Sequence, residues 1–185
     1  METTSEKVYI EVEAELKAPH LTAGRHLDDI AIALFGLNPS QIIAGDEWTI
    51  FYGNLNSPSK EVEIIERTFD SSTGKYRTQF VVNLDHMPKE ISQLTLALST
   101  SLEGAEEDPR VGDLKDITVD LKIGNKKLTR FSPELGDLSQ EKAIYLLSIY
   151  KHQQGWKLRA QGDGFSGGFA ALFASLGGER SDNDV

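Results

Sequence analysis

Cysteine is absent from the 185 residues of this sequence. A disulfide framework, a thiolate zinc site and a thiol nucleophile are therefore excluded. Long apolar stretches are also missing, since no run reaches the roughly 18 residues that would predict a transmembrane helix. The first residues, Met-Glu-Thr-Thr-Ser-Glu-Lys, lack the apolar core of a signal peptide. We therefore expect a cytoplasmic protein with no transmembrane segment.

Positive charge is scarce as well. Lysine and arginine number 19 against 29 aspartates and glutamates, which gives a formal net charge of −10. Non-specific binding to nucleic acid or to an anionic membrane requires a basic face, so we expect no nucleic-acid partner. Hydrophobic residues make up 39% and charged residues 26%, a composition typical of a soluble globular protein. The length suffices for one domain with a full core.

The first regular pattern runs over residues 8–16. Apolar and polar residues alternate there, with Val8, Ile10, Val12, Ala14 and Leu16 on one face and Tyr9, Glu11, Glu13 and Glu15 on the other. An alternation with a period of two predicts a half-buried antiparallel strand whose outer face meets water.

Short β-prone runs separated by turn residues continue along most of the chain. The segment 70–74 is a short polar loop closed by glycine, which predicts a hairpin. About ten strands result, and this number of short strands with frequent turns predicts a two-sheet antiparallel β-sandwich. Besides 8–16, the strands are expected at 28–37, 48–52, 61–69, 75–84, 91–100, 117–123, 126–131, 143–150 and 156–161.

The C-terminal part of the sequence has a different character. Residues 169–176 are apolar and rich in helix formers, so we expect a short C-terminal helix. Residues 1–177 are expected to form a single domain. The polar segment 178–185 is expected to be a flexible acidic tail.

A glycine-rich corner precedes the expected helix. Gly162, Gly164 and Gly167 spell G-x-G-x-x-G, which in a βαβ unit would bind a dinucleotide. Only 18 residues follow Gly167, so there is no room for a returning parallel strand. The sequence therefore favours a structural corner between the last strand and the helix over a phosphate-binding loop.

Several motifs, taken in order, resemble the TerD family of tellurite-resistance and general stress proteins. The segment 26–35 resembles the family's "DLD plus apolar strand", 51–58 its "FYNN…SP", and 83–88 its "VDL…IP". Residues 150–165 closely match the family's closing pattern "LYRHxGxWKFRAVGQGF". The resemblance covers about residues 10–176 and is most specific in the last motif.

The resemblance implies a β-sandwich, in agreement with the strand count. Members of the family typically bind calcium through acidic loops at one end of the sandwich, and no enzymatic activity is firmly attached to them. It therefore implies a non-enzymatic, cytoplasmic stress-response protein of the tellurite-resistance type that acts through a protein partner. The stress, the partner and the oligomeric state are left open.

Three residues match the family's calcium pattern and are the candidate metal ligands. Asp70 and Thr73 correspond to positions of the family loop "GDNxTG", and Asp28 corresponds to the second Asp of "DLD". Calcium requires six to eight oxygen ligands, usually with several carboxylates. The resemblance therefore implies a calcium site at the loop end built on these three residues.

The same segments depart from the family pattern at several positions. Phe69 stands at the leading glycine, Ser71 at the asparagine, and His26 where another Asp is expected. Lys75 and Arg77 bring two positive charges to the place of a second acidic cluster, "GDDE". Cations within a few ångströms of a metal ion disfavour its binding. We therefore expect calcium binding to be weak or lost.

Two interpretations of this end remain open. In the first, 70–74 is a plain hairpin turn and the acidic segment 102–116 is a mobile, solvated loop. In the second, that segment supplies oxygens to a rebuilt calcium site with Asp28 and Asp70. Its carboxylates are Glu103, Glu106, Glu107, Asp108, Asp113 and Asp116.

Two functions are therefore considered. The first is a stress-response protein that couples weak or lost calcium binding to a partner. The alternative is a metal-free protein-interaction scaffold of the same fold. No nucleophile–base pair or paired acids can be assembled from the sequence, so we expect no enzyme.

Overall fold

Two antiparallel sheets and one short helix make up the computed structural model, which describes residues 7–17, 26–136, 138–153 and 155–178. The elements are β1 (Val8–Leu16), β2 (Ala31–Leu37), β3 (Thr49–Ile50), β4 (Val62–Asp70), β5 (Lys75–Val82), β6 (Gln93–Ser99), β7 (Leu114–Ile123), β8 (Lys126–Phe131), β9 (Ala143–His152), β10 (Gly155–Ala160), β11 (Gly164–Phe165) and α1 (Gly168–Ser175).

The strands form two sheets, which we name by their central members. The β1 sheet has the order β4-β5-β1-β7-β8, and the β6 sheet has the order β10-β9-β6-β2-β3. The short strand β11 also pairs with β9, where it continues the line of β10. The two-sheet β-sandwich with a short C-terminal helix, expected from the sequence, is confirmed.

Strand β1 explains how the sequence pattern makes the core. Its residues alternate between buried and half-buried along all nine positions, as the alternation predicted. The inward side chains of Ile10 and Val12 are fully buried between the two sheets. The outward residues lie on the outer face of the sheet, beside those of β5. There Glu15 is opposite Lys75 and Glu13 is opposite Arg77 in the strand register.

A second apolar cluster lies on the outer face of the β6 sheet, beneath α1. The ring centroids of Phe35 and Phe169 are 6.0 Å apart, and those of Phe35 and Phe173 are 6.4 Å apart. Strand β2 is therefore buried on both faces, since the main core covers one face and the helix covers the other. This double burial explains the nearly continuous apolar run of β2.

Some element boundaries differ from those expected. The strand predicted at 28–37 begins only at Ala31, because Leu27–Asp29 form a 3-10 turn. The carboxylate of Asp29 accepts a hydrogen bond from the backbone N–H of His26 at 2.8 Å, which favours the turn over an extended chain. Trp48 likewise ends a 3-10 turn, so β3 has only two residues. Eleven strands are present in the described chain.

The expected acidic tail lies almost entirely outside the described residues, which end at position 178. The tail and the single-domain boundary at 177 stay predictions. Within the described ranges, no helix combines the length and the hydrophobicity that crossing a bilayer requires.

Candidate functional site at the loop end

Three predicted segments meet at one end of the sandwich, which we call the loop end. The register pairs Glu15 with Lys75 and Leu16 with Leu114, so β1 ends where β5 and β7 begin. In the other sheet, β2 begins beside the end of β6. The loop end therefore consists of the 26–30 turn, the 70–74 hairpin and the 100–113 loop.

Asp70 closes the hairpin between β4 and β5. Its Oδ1 accepts hydrogen bonds from the backbone N–H of Ser72 at 2.9 Å and from the Ser72 hydroxyl at 2.6 Å. The Ser72 hydroxyl is the main cause that lowers the pKa of the Asp70 carboxyl. Gly74 has a φ of +72°, a conformation that glycine adopts without strain. These contacts are those of an Asp-Ser-Gly hairpin turn.

Asp28 has a different partner, one that sequence reasoning missed. The Nη2 of Arg67 donates a hydrogen bond to Oδ1 of Asp28 at 2.6 Å. The Arg67 guanidinium also lies over the ring of Tyr52, 5.5 Å from its centroid. Tyr52 belongs to the "FYNN…SP" resemblance and Asp28 to the "DLD" resemblance. Arg67 therefore joins two family motifs and occupies an oxygen of a candidate metal ligand.

Lys75 and Arg77 stand where the family's second acidic cluster would be, and β1 explains their presence. Both lie on the outer face of β5, opposite glutamates of β1. The Nε of Arg77 hydrogen-bonds the carboxylate of Glu11, and its Nη1 lies 3.6 Å from Glu66. The hydrogen bond with Glu11 is the main cause that raises the pKa of Arg77. Arg77 therefore pairs with the acidic face of β1, and Lys75 stands opposite Glu15 in the strand register.

The acidic loop is attached to the sandwich through buried polar contacts. The Thr100 hydroxyl donates to the carbonyl of Pro109 at 2.6 Å, and the Ser101 hydroxyl donates to Asp108 Oδ2 at 2.7 Å. Lys142, only 4% exposed, donates from Nζ to the carbonyls of Gly104, at 3.1 Å, and Ala105.

The expected mobile loop is thus anchored along its backbone. Four of the six carboxylates of the segment 102–116 are exposed, those of Glu103, Glu106, Glu107 and, in β7, Asp116.

The glycine-rich corner packs against this loop. The N–H groups of Phe169 and Ala170 in the first turn of α1 donate to the carbonyls of Ser101 and Leu102, each at 2.9 Å. Gly168 has a φ of +71°, and a Cβ there would overlap the carbonyl oxygen of Ser101. Because the N–H groups that a phosphate would need already have partners, the corner is a packing joint, as the sequence favoured.

The candidate ligands do not fit a calcium ion as they are arranged. An oxygen of Asp28 is paired with Arg67, and Asp70 accepts from Ser72. The Thr73 hydroxyl lies 3.5 Å from the Asp70 carbonyl, at the limit of a hydrogen bond. Across the described part of the chain, no three His, Cys, Asp or Glu side chains converge as a metal would require.

Two serine–carboxylate pairs could suggest a nucleophile with a base, but both belong to turns. The hydroxyl of Ser57 donates to Glu61 at 2.7 Å and accepts from the N–H of Val62 at 2.8 Å. The Ser101 hydroxyl similarly donates to Asp108 and accepts from the N–H of Gly104 at 2.8 Å. Each hydroxyl holds a local backbone turn in place.

Comparison with known proteins places this geometry in context. The model of the TerD domain matches residues 2–176. Chemical-damaging agent resistance protein B of Clostridium acetobutylicum is 30% identical over 129 residues, covering 69% of this chain and 92% of that protein. Tellurium resistance protein TerD of Serratia marcescens is 27% identical over 153 residues, covering 80% and 78% respectively.

Comparison with solved structures agrees with the family match. The crystal structure of a homologue of the telluride resistance protein TerD from Streptomyces coelicolor has a TM-score of 0.66 at 11% identity. The match covers 95% of this chain and 99% of that one. At this identity the likeness shows the common fold.

Proposed function

The chain belongs to the TerD family, and from this we propose that it acts in resistance to tellurium compounds or other damaging chemicals by binding a protein partner, without catalysing a reaction. The names of its relatives, tellurium resistance protein and chemical-damaging agent resistance protein, support the role in resistance. The use of Ser57 and Ser101 in local turns supports the absence of catalysis. A cytoplasmic location and the absence of a nucleic-acid partner stay predictions of the sequence.

The working surface in this proposal is the loop end. Its acidic loop presents Glu103, Glu106 and Glu107 to solvent, while Lys142 and the first turn of α1 hold the backbone of the loop. A pre-organised loop loses little conformational entropy when a partner binds. The partner surface would be basic, because complementary charge speeds association and gives specificity.

The proposal includes that this end works without a bound calcium ion. The observation that carries it is the ion pair between Arg67 and Asp28, 2.6 Å long. A metal ion would have to displace a guanidinium that is also held over Tyr52. Weak calcium binding is the second candidate, and it is favoured by the exposure of the Asp28 side chain, which reaches 57%.

A resistance assay tests the function. The full chain is expressed in a host sensitive to tellurite and to a DNA-damaging agent, and survival is measured. Changing Glu103, Glu106 and Glu107 together to glutamine should reduce survival. A matched triple change of exposed acids outside the loop end, Asp46→Asn, Asp85→Asn and Glu90→Gln, should leave it unchanged. Equal effects of the two triple variants would refute a role for the loop end.

A further inference from the structure

Strand β10 is an end strand of the β6 sheet, and its one neighbour among the described strands is β9. The register pairs His152 with Gly155, so a two-residue loop joins the strands. In such a hairpin the residues next to the loop form a hydrogen-bonded pair, and every second pair thereafter does so too. The N–H and C=O groups of Trp156, Leu158 and Ala160 therefore point away from the sheet.

The two faces of β10 differ in chemistry. Trp156 packs against the main core, which places Trp156 and Leu158 on the inner face of the sandwich. Leu158 is 37% exposed, one of the few large apolar side chains that reach solvent. Lys157 and Arg159 lie on the outer face, and both are exposed. A strand added beside β10 would thus meet positive charge on one face and apolar surface on the other.

The β9–β10 hairpin concentrates positive charge in an acidic protein. Residues 143–162 include three cations and no acid, in a chain with a net charge of −10. Lys151 lies 5.4 Å over the ring of Trp156, and Arg159 lies 5.4 Å over the ring of Tyr150. No carboxylate among the described residues lies within ion-pair distance of Lys151, Lys157 or Arg159.

The same Lys-x-Arg spacing occurs in β5, where it has a partner. Lys75 and Arg77 stand opposite Glu15 and Glu13 of β1, a strand in which glutamates alternate with apolar residues. Cross-strand pairs of opposite charge stabilise such neighbours. In β10, Lys157-Leu158-Arg159 repeats this pattern, but no acidic strand among the described residues lies on its free side.

The basic end strand on the other sheet, β8, has an internal partner. Arg130 of β8 makes two hydrogen bonds to the carboxylate of Asp120, at 2.7 and 3.0 Å. The charge of Arg130 is therefore met within the protein, which distinguishes Arg130 of β8 from Arg159 of β10.

We propose that β10 binds an extended segment of a partner protein in which acidic and apolar residues alternate. The segment adds a strand to the β6 sheet, and its backbone bonds the outward groups of Trp156, Leu158 and Ala160. Its carboxylates face Lys157 and Arg159, and its apolar residues cover Leu158. This surface is separate from the loop end, because the β9–β10 turn lies at the opposite end of the sandwich.

The binding test uses the full chain and a capped seven-residue peptide that alternates glutamate with valine. Trp156 is half-buried in β10, whereas Trp48 is 3% exposed, so peptide binding should change mainly the Trp156 fluorescence. Amide hydrogen exchange of residues 156, 158 and 160 should slow when peptide is bound. The amides of residues 157 and 159 already bond β9 and should change little. If exchange slowed equally at both sets of amides, strand addition would be refuted.

Charge variants locate the site. Changing Lys157 and Arg159 together to glutamate should weaken binding at least tenfold, since two attractive pairs become repulsive. The matched control changes two exposed lysines of the other sheet, Lys122 and Lys126, to glutamate and should leave affinity within about twofold. Equal losses in the two variants would mean that only net charge matters and would overturn the proposal.

Two further outcomes would also overturn it. If the peptide does not bind at millimolar concentration, the cations of β10 serve instead to keep the exposed edge strands of two molecules from pairing. Tighter binding of a single-stranded DNA of equal charge, lost in the Lys157 and Arg159 variant, would assign the edge to nucleic acid. Failure here leaves the proposed function standing if the variant still confers resistance, since that function rests on the loop end.

Discussion

The guanidinium of Arg67 donates a hydrogen bond to the carboxylate of Asp28 at 2.6 Å, across 39 positions of sequence. The contact ties the turn before β2 to strand β4, at the point where the family resemblance implies a metal ligand. The Arg67 side chain is 18% exposed, and Tyr52 lies beneath its guanidinium. A guanidinium of the protein thus bonds one carboxylate oxygen of a candidate metal ligand.

A double-mutant cycle measures this contact. Arg67→Gln, Asp28→Asn and the double variant are unfolded in urea, and the coupling energy is calculated from their free energies of unfolding. Because the pair is partly exposed, we expect a coupling of about 0.5–1 kcal/mol. A coupling indistinguishable from zero would show that Arg67 does not hold Asp28 in solution.

The joint between the acidic loop and α1 depends on Gly168. Gly168→Ala should lower the free energy of unfolding by about 1–3 kcal/mol, because the residue has a φ of +71° and its Cβ would meet the Ser101 carbonyl. Gly162→Ala is the matched control, since no atom lies within 4 Å of a Cβ at that position. Urea unfolding measures the free energy of unfolding of both variants. An equal decrease in the two variants would contradict the role of Gly168 in packing the loop against α1.

Lys142 should contribute more to the free energy of unfolding than an exposed lysine does. Lys142→Met leaves the carbonyls of Gly104 and Ala105 without their donor, so a loss of about 1–3 kcal/mol is expected. Amide exchange at Gly104 and Asp108 should accelerate, because the loop is no longer held by the ammonium group at position 142. Lys89→Met, at an exposed position, should change neither quantity. Unchanged exchange in Lys142→Met would argue against an anchored loop.

The Asp70 turn predicts a dependence on pH. Its pKa is lowered in the folded protein, so its contribution to stability is present above the unfolded value of about 3.9 and is lost as pH falls through the folded pKa. Carboxyl-carbon NMR should place the Asp70 pKa below 3.9, the usual value for Asp. Ser72→Ala should raise it, because the Ser72 hydroxyl is the main cause of the shift. A pKa unmoved by Ser72→Ala would refute that cause.

Local pattern in the sequence predicted most of the fold. The alternation over 8–16, the 70–74 hairpin and the apolar run at 169–176 each became the expected element, because each depends on neighbouring residues. The misplaced boundaries at 28–30 and 48 follow from 3-10 turns. At 28–30, the turn is held by a short-range bond between Asp29 and His26.

The candidate site was less accessible to sequence reasoning. Asp28 and Asp70 were found by their resemblance to a motif, but their partners were not. Arg67 reaches Asp28 across 39 positions, and Lys142 reaches Gly104 across 38. Such contacts depend on strand register and on which loops share an end of the sandwich. The glutamates of β1 did carry a signal, since Glu15 and Glu13 stand opposite Lys75 and Arg77 of the neighbouring strand β5.

Thermal unfolding with and without 5 mM calcium tests the metal-free proposal most directly. If Asp28, Asp70 and Thr73 do not bind calcium, the melting temperature of the full chain should be unchanged relative to 5 mM magnesium. A site with a dissociation constant of about 0.5 mM would stabilise the folded state by about 1.4 kcal/mol, or roughly 3–6 °C for a chain of this size. A calcium-specific rise of that size, abolished by Asp70→Ala, would contradict the proposal.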